Sequence, residues 1–573
     1  MKELYQKLRT FTGKNYGLYK SLVGKIWNFG DFDLEFIHVQ GDPFAPASRL
    51  KFKAPIEILG IPAEWGNFPT KRLALADFLL RKIANEVNSR SEAAKENGEK
   101  FLLNVQTPGE EILVRNSLWV GGPSENAGKA IVELMLSVDL PGDKRTIDVS
   151  SAAEILTSTI PDLLMSLYLN SDADKKEALR YIESLEIREA LLAEMQKRNF
   201  IAFVPDGAIL PRESGASDKP KAGAIPFTSP EELRETFEVC GKKISGMAIS
   251  KGITIIAGGA YHGKSTLLSA LESAVVPHIP GDGREWIVTE TSAMRIAAEP
   301  GRIVRGTRIA PFVRELPFHT STENFETLSA SGSTSEAANV MEALEFGSRT
   351  LFIDEDASAV NFLIRDARMR ELVGEKDEPL IPLSDRADEL KNRGINLVLV
   401  IGACGDYLQN ADTVLVMKNY KPFCETKRAK EIAQKSSVQK PLSKLPPFGE
   451  FRSRKLLQIA EALLPGIKTR NAVERQVKVR LRGKEMAIGY VQADLRALFP
   501  HAETATLSGL GLFLLNLLQN VEDIPADEAI QKLYTQIQNV GFRRLPQGFS
   551  KDSELPRKEE IAAALLRCNL PMT

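Results

Sequence analysis

The densest run of residues able to do chemistry is Gly258-Gly259-Ala260-Tyr261-His262-Gly263-Lys264-Ser265-Thr266. Gly258 and Gly263 bracket four residues, and Lys and Ser follow, which is the Walker A spacing. The strand-like "GITII" enters the turn and an apolar helical pattern leaves it. Glycines let successive backbone N–H groups turn inward around a diphosphate, and a following helix adds the positive end of its dipole. Lys264 offers an ammonium to β- and γ-phosphates, and Ser265 a hydroxyl to Mg²⁺. An ordinary glycine turn would explain the composition but not the strand before and the helix after. The stretch 258–266 is therefore read as holding a nucleoside triphosphate. His262, inside it, is read as shaping or packing the turn rather than as a catalyst, since variable positions of such loops mostly face away from phosphates.

Two further groups belong with this turn. In "RTLFIDEDAS" (349–358) an apolar strand ends in Asp354-Glu355, a Walker B arrangement. Asp354 would hold Mg²⁺ and Glu355 would polarise the attacking water. Ser331-Gly332-Ser333 opens a helical pattern 23 residues before Asp354. It can present backbone N–H groups and a hydroxyl to an anion, or simply cap a helix, for which "STSE" (333–336) is a fair capping box.

These groups must be carried by a large chain. With 573 residues, two to four domains are expected, and 43% hydrophobic against 26% charged residues is an ordinary globular balance. The formal net charge of −1 gives no global pull toward nucleic acid or membrane. "MKELYQKLRT" has no apolar core of a secretory signal, and "LSGLGLFLLNLL" (507–518) reads as a buried helix too short to span a bilayer. Cys240, Cys404, Cys424 and Cys568 lack metal or disulfide spacing, so a cytoplasmic location is expected. Three regions are expected: an α+β N-terminal domain over 1–225, an α/β core over 226–425, and a basic, mostly helical region over 426–573. "PRESGASDKPKAG" (211–223) reads as the linker. In the core "GITIIAGG", "WIVTET", "TLFIDED", "INLVLVIGA" and "DTVLVM" read as buried parallel strands.

The motifs together resemble a known family. "ASGST" (330–334) looks like a variant of the ABC signature loop, and "GGAYHGKSTLL", "IPGDGREW", "LFIDEDASAVNFLIRD" and "GDYLQNADTVLVM" are similar to the soluble "predicted ATPase of the ABC class" family. "QGDPFAPASRL", "VDLPGDKRTI", "FVPDGAILPR" and "QVKVRLRGK" resemble its flanking blocks, so nearly the whole chain is covered. The resemblance implies a central ABC-type P-loop NTPase domain that uses ATP with Mg²⁺, with Ser331, Gly332 and Ser333 reaching the nucleotide of a second copy across a homodimer. A relative of this family belongs to a trypanosomal mitochondrial RNA-editing assembly and binds RNA. The chain departs from ordinary ABC ATPases in places. Asp356 stands where a proline is usual, and "VLVIGACGDY" offers Ala403, Cys404, Gly405 and Asp406 but no switch histidine. Asn324 is a weak stand-in for the Q-loop glutamine, and Asn361 falls near the usual Asp of the dimer-contacting D-loop. Phe227 is the guess for an adenine-stacking aromatic, and Arg284 a further residue able to reach a phosphate.

From Lys418 to Lys484 there are 18 Lys and Arg against 5 Asp and Glu, so charge is segregated along the chain. Strand alternation in "QVKVRLRG" puts Lys478, Arg480 and Arg482 on one face and Val477, Val479 and Leu481 on the other. That face could neutralise RNA phosphates, or be a solvated surface balancing acidic neighbours. The expected activity is conversion of ATP and water to ADP and phosphate, with homodimer closure coupled to RNA binding or remodelling. Two other readings stay open: a nucleotide-gated scaffold switch with little turnover, which the missing histidine favours, and a cytosolic motor of a protein assembly.

Overall fold

The computed structural model describes all residues except 126–127, 216, 318–319, 436–444, 452, 464–477, 499–503, 546–551 and 570–573. The chain forms two compact units. The first comprises Met1–Glu186, Glu503–Leu512 and Thr535–Leu555, and the second Ile187–Ala502, Phe513–Tyr534 and Pro556–Thr573.

The first unit is built on an antiparallel sheet in the order Ile26–Asn28, Asp33–His38, Ser48–Pro55, Ile131–Val138, Leu103–Asn104, with Leu118–Gly121 also pairing to Ile131–Val138. The helix Pro69–Glu96 starts with proline at its first position, where the missing N–H has no helical partner to lose. It buries Leu75, Phe78, Leu79 and Ile83. Arg115 is buried with two carboxylates, Asp77 and Glu554, and Gln106 donates to the latter at 2.9 Å. Buried charges are retained only when paired this fully.

In the second unit a six-stranded sheet runs Met294–Ile296, Thr350–Asp354, Asn396–Val400, Ile253–Gly258, Thr413–Lys418, Lys421–Cys424. All pairs are parallel except the last. The four inner strands, Thr350–Asp354, Asn396–Val400, Ile253–Gly258 and Thr413–Lys418, are mostly apolar because both faces are covered. Ile253, Ile255, Leu351, Ile353, Leu397 and Leu399 pack on one side with Ala337, Val340 and Leu344 of the helix Gly332–Glu345. Ile256, Phe352, Val398, Val400, Leu415 and Met417 pack on the other with Leu267, Leu268 and Leu271 of the helix Lys264–Ser273. The period of two thus divides each strand between two cores.

A second, antiparallel sheet orders Arg234–Val239, Lys242–Ser250, Phe200–Pro205 and Val288–Thr289. Here one expectation is corrected. "WIVTET" does not supply a parallel strand, for Val288 pairs antiparallel with Phe203, and the edge of the parallel sheet is Met294–Ile296. Within the 211–223 stretch, read as the linker, Arg212–Ser214 pairs antiparallel with Ser217–Pro220. The apolar 507–518 run lies in the helix Thr504–Gln519 with Leu510, Phe513 and Leu514 buried, and no described helix is long and apolar enough to cross a membrane. Within the basic region, helices Thr426–Lys435 and Leu456–Leu463 precede a three-stranded meander, Val479–Arg482, Glu485–Ile488 and Val491–Asp494.

Candidate nucleotide site

Register aligns the site. Asp354 pairs with Val400, Val400 with Ile256, and Ile256 with Leu415, so four parallel strands are in register at the row where Thr350–Asp354 and Asn396–Val400 end. The residues beyond that row emerge together at the C-terminal edge of the sheet, where open α/β sheets take their ligands.

Gly258 leaves its strand with φ +141°, and a Cβ there would sit 2.6 Å from the Met417 carbonyl oxygen, so no other residue fits. Gly263 caps the helix Lys264–Ser273 with φ +95°. Between them Tyr261 takes φ +63°, a conformation uncommon for a bulky side chain. The Lys264 ammonium folds over the turn and donates to the carbonyl oxygens of Gly258 at 2.9 Å and Gly259 at 3.0 Å. The His262 ring lies against Gly259, within 3.0 Å of where a Cβ there would be; its Nδ1 accepts from the Asn419 backbone N–H at 2.8 Å, and its carbonyl accepts from the Tyr420 N–H at 3.2 Å. The turn is thereby tied to the hairpin that follows the neighbouring strand.

Asp354 ends its strand, its Oδ1 accepting from the Asp356 N–H at 3.2 Å. Glu355 is held differently. Its Oε2 accepts from the backbone N–H groups of Gly402 at 2.6 Å and Ala403 at 3.0 Å, just beyond the strand Asn396–Val400. Both amides belong to the 402–406 segment, which carries no histidine. Nearby, burial pushes the Cys404 thiol up to about 12, so it is a neutral neighbour of Asp406 rather than a nucleophile.

Ser331 is the N-cap of the fourteen-residue helix Gly332–Glu345, its Oγ accepting from the Thr334 N–H. Ser333 Oγ donates to Asn361 Oδ1 at 2.6 Å, and Glu336 Oε2 accepts from the Ala359 N–H at 2.8 Å. A Cβ on Gly332 would touch Ala359 at 3.5 Å and Ala298 at 3.9 Å. The start of this helix is therefore fastened to the segment that follows Asp354 and Glu355. Burial pushes the Glu336 carboxyl up to about 7, with the Ala359 amide pulling it back. Glu272, on the Walker A helix, is likewise raised to about 7 by burial.

The structure separates other expectations from this edge. Phe227 is 3% exposed within the core around Met247 and Leu268, leaving no face for a base. Arg284 is buried, with Nε donating to the Leu210 carbonyl at 3.0 Å and Nη1 to Ser273 Oγ at 2.9 Å. Asn324 precedes the strand Phe325–Thr327, whereas the residues following the strand next to Asp354 are Ala297 and Ala298. Lys478, Arg480 and Arg482 are exposed on the strand edge with Val479 buried, and Val477 lies outside the described residues. The amides of Gly402 and Ala403 and the Asn419–Tyr420 turn carry no side-chain motif, and Glu336, expected to close a capping box with Ser333, instead accepts from Ala359 while Ser331 caps the helix. Glycine at 402 was the one trace of the first.

A parallel sheet with this strand order, a Walker A turn and an acidic pair ending the Thr350–Asp354 strand define a P-loop domain. Residues 174–454 match the P-loop domain model of the ABC ATPases, and residues 1–170 match the model described as ATPase of the ABC class N-terminal. The chain belongs to the ATPase of the ABC class family. Over 172 residues it is 37% identical to Uncharacterized protein MJ1628 of Methanocaldococcus jannaschii, a stretch that is 29% of this chain and 38% of that one. The chain thus spans well under half of that relative's length. Among solved structures, MJ1267, an ATP-binding cassette of an ABC transporter in its ADP conformation, is 14% identical over 36% of this chain and 94% of its own, with a TM-score of 0.23. CbiO1 from Clostridium perfringens, part of the ABC transporter complex cbiONQ, is 14% identical over 41% and 92%, with a TM-score of 0.26.

Proposed function

We propose that the chain binds Mg·ATP at the Gly258–Thr266 turn and hydrolyses it to ADP and phosphate. The fit rests on donor chemistry. Left-handed Gly263 and the ten-residue helix behind it present N–H groups, and Lys264 already bridges two turn carbonyls that a phosphate oxygen would displace it from. Ser265 and Asp354 are the metal-facing pair and Glu355 orients water. The observation that carries the reading is the grip of Gly402 and Ala403 on Glu355, which sets the carboxylate at the same sheet edge as the turn. Gly259, Ala260, Tyr261 and His262 complete the turn, and Ser331, Gly332 and Ser333 would meet the nucleotide of a second copy. Closure of a homodimer, coupled to RNA on the Lys478, Arg480 and Arg482 face, would then be the work done. The flanking regions, 1–225 and 426–573, are the proposed platforms for that ligand, in the cytoplasm.

A second reading, a nucleotide-gated switch with little turnover, is favoured by one observation. Among the described residues Glu355 is held by backbone donors alone, and 402–406 offers no histidine to sense the γ-phosphate. Phosphate release with and without a mixed RNA pool separates the two, since the enzyme should be stimulated and the switch should stay silent while still dimerising with ATP.

A further inference from the structure

The sheet sets the direction in which a bound nucleotide must leave the turn. Glu355 and its two amide partners follow the strands Thr350–Asp354 and Asn396–Val400, which lie on one side of the Ile253–Gly258 strand. On the reading above, that side takes the γ-phosphate. The α-phosphate, sugar and base then run to the other side, over the strands Thr413–Lys418 and Lys421–Cys424.

There the chain makes a two-residue turn. Lys418 pairs with Lys421, and Asn419 and Tyr420 between them take φ +48° and +65°. Two left-handed residues in succession make the type I′ geometry, in which Asn-Gly is the preferred pair. Asn419 obeys that preference and Tyr420 does not. A tyrosine held left-handed is strained, and strain of this kind is kept where the surrounding structure enforces it and function uses it. His262 supplies the enforcement, binding both turn residues from inside the phosphate loop. The Tyr420 ring leans on the loop's last glycine, 3.2 Å from where a Gly263 Cβ would be, yet Tyr420 is 57% exposed. It therefore shows an open aromatic surface beside the turn, on the side where a base must lie.

We propose that Tyr420 is the platform on which the base of the bound nucleoside triphosphate stacks, with His262 fixing it against the phosphate loop. The proposal rests on the phosphate site argued above. Its test compares Mg·ATP with inorganic tripolyphosphate, which carries the phosphates and no base, by calorimetric titration of the full chain. Tyr420→Gly keeps the left-handed turn and removes its strain, so the variant should melt no lower than wild type. It should bind ATP at least about tenfold more weakly, with tripolyphosphate affinity held within about twofold, and Tyr420→Phe should match wild type on both. Equal losses for ATP and tripolyphosphate, or undiminished ATP affinity in Tyr420→Gly, would overturn the assignment. A wild type that binds the two ligands equally would overturn it too while leaving the phosphate site standing. A wild type that binds neither would remove both.

Discussion

Oε2 of Glu355 lies 2.6 Å from the Gly402 backbone nitrogen and 3.0 Å from that of Ala403, so two main-chain donors aim one carboxylate. Backbone donors cannot rotate away from the group they bind. Gly402→Pro deletes the shorter of the two bonds. Phosphate release should fall about tenfold or more with ATP affinity kept, the pattern of a lost positioning contact. Gly402→Ala retains the N–H, and its Cβ would stand 3.8 Å from Glu355 Oε2, so it should stay near wild type. Equal effects of the two substitutions would detach the amides from the reaction.

The roles assigned to Lys264 and Glu355 separate binding from cleavage. Lys264→Ala should abolish measurable ATP binding. Glu355→Gln should bind ATP, release phosphate at least about 100-fold more slowly, and accumulate as a dimer on a sizing column when ATP is present. Unchanged hydrolysis in the Gln variant would take Glu355 out of its role.

Much of this was legible in sequence because it is local. A glycine turn between strand and helix, and an acidic pair ending an apolar strand, need no distant residue to be seen. The strands Thr350–Asp354 and Asn396–Val400 read correctly as continuous apolar runs, for both faces are covered. "WIVTET" has the same composition but joins the antiparallel sheet through Phe203, and composition does not encode a pairing partner. The grip on Glu355 escaped notice because a backbone N–H belongs to every residue but proline. The tie between His262 and Asn419 spans 157 residues, and only the fold brings them together.

Ser333 and Asn361 share a 2.6 Å hydrogen bond between the signature-like helix and the segment after Glu355. If that bond positions the loop for a second copy, Ser333→Ala and Asn361→Ala should each slow hydrolysis, and the double variant should be no worse than the more damaged single one. The coupling expected from a double-mutant cycle is about 1 kcal/mol. Strict additivity would mean the two residues act independently.

Glu336 gives the fold a pH signature opposite to that of most carboxylates. Its folded value near 7 exceeds the ordinary 4.5, so the folded chain holds this proton over the window from about 4.5 to 7 while the unfolded chain releases it. Stability should therefore fall as pH rises across that window and level off above it, by at most about 3 kcal/mol for this group. Denaturant unfolding at pH 5 and pH 8 should show the difference shrink in Glu336→Gln, which cannot ionise. An identical pH slope in the variant would assign the effect elsewhere, Glu272 being the next group to replace.

The exposed row Lys478, Arg480 and Arg482 offers three charges to a phosphate backbone. Replacing all three with Gln should weaken binding of a mixed RNA pool and flatten its dependence on log salt by about 2 to 3. An unchanged slope would place any RNA contact on another surface.

The account stands or falls on the Gly258–Thr266 turn as the seat of a polyphosphate, and a crystal structure with Mg²⁺ and a non-hydrolysable ATP analogue tests that directly. The prediction is that Lys264 Nζ leaves the carbonyl oxygens of Gly258 and Gly259 for the β- and γ-phosphates, which lie within the N–H groups of the turn. Density for the phosphates elsewhere, with Lys264 still bonded to both carbonyls, would contradict it.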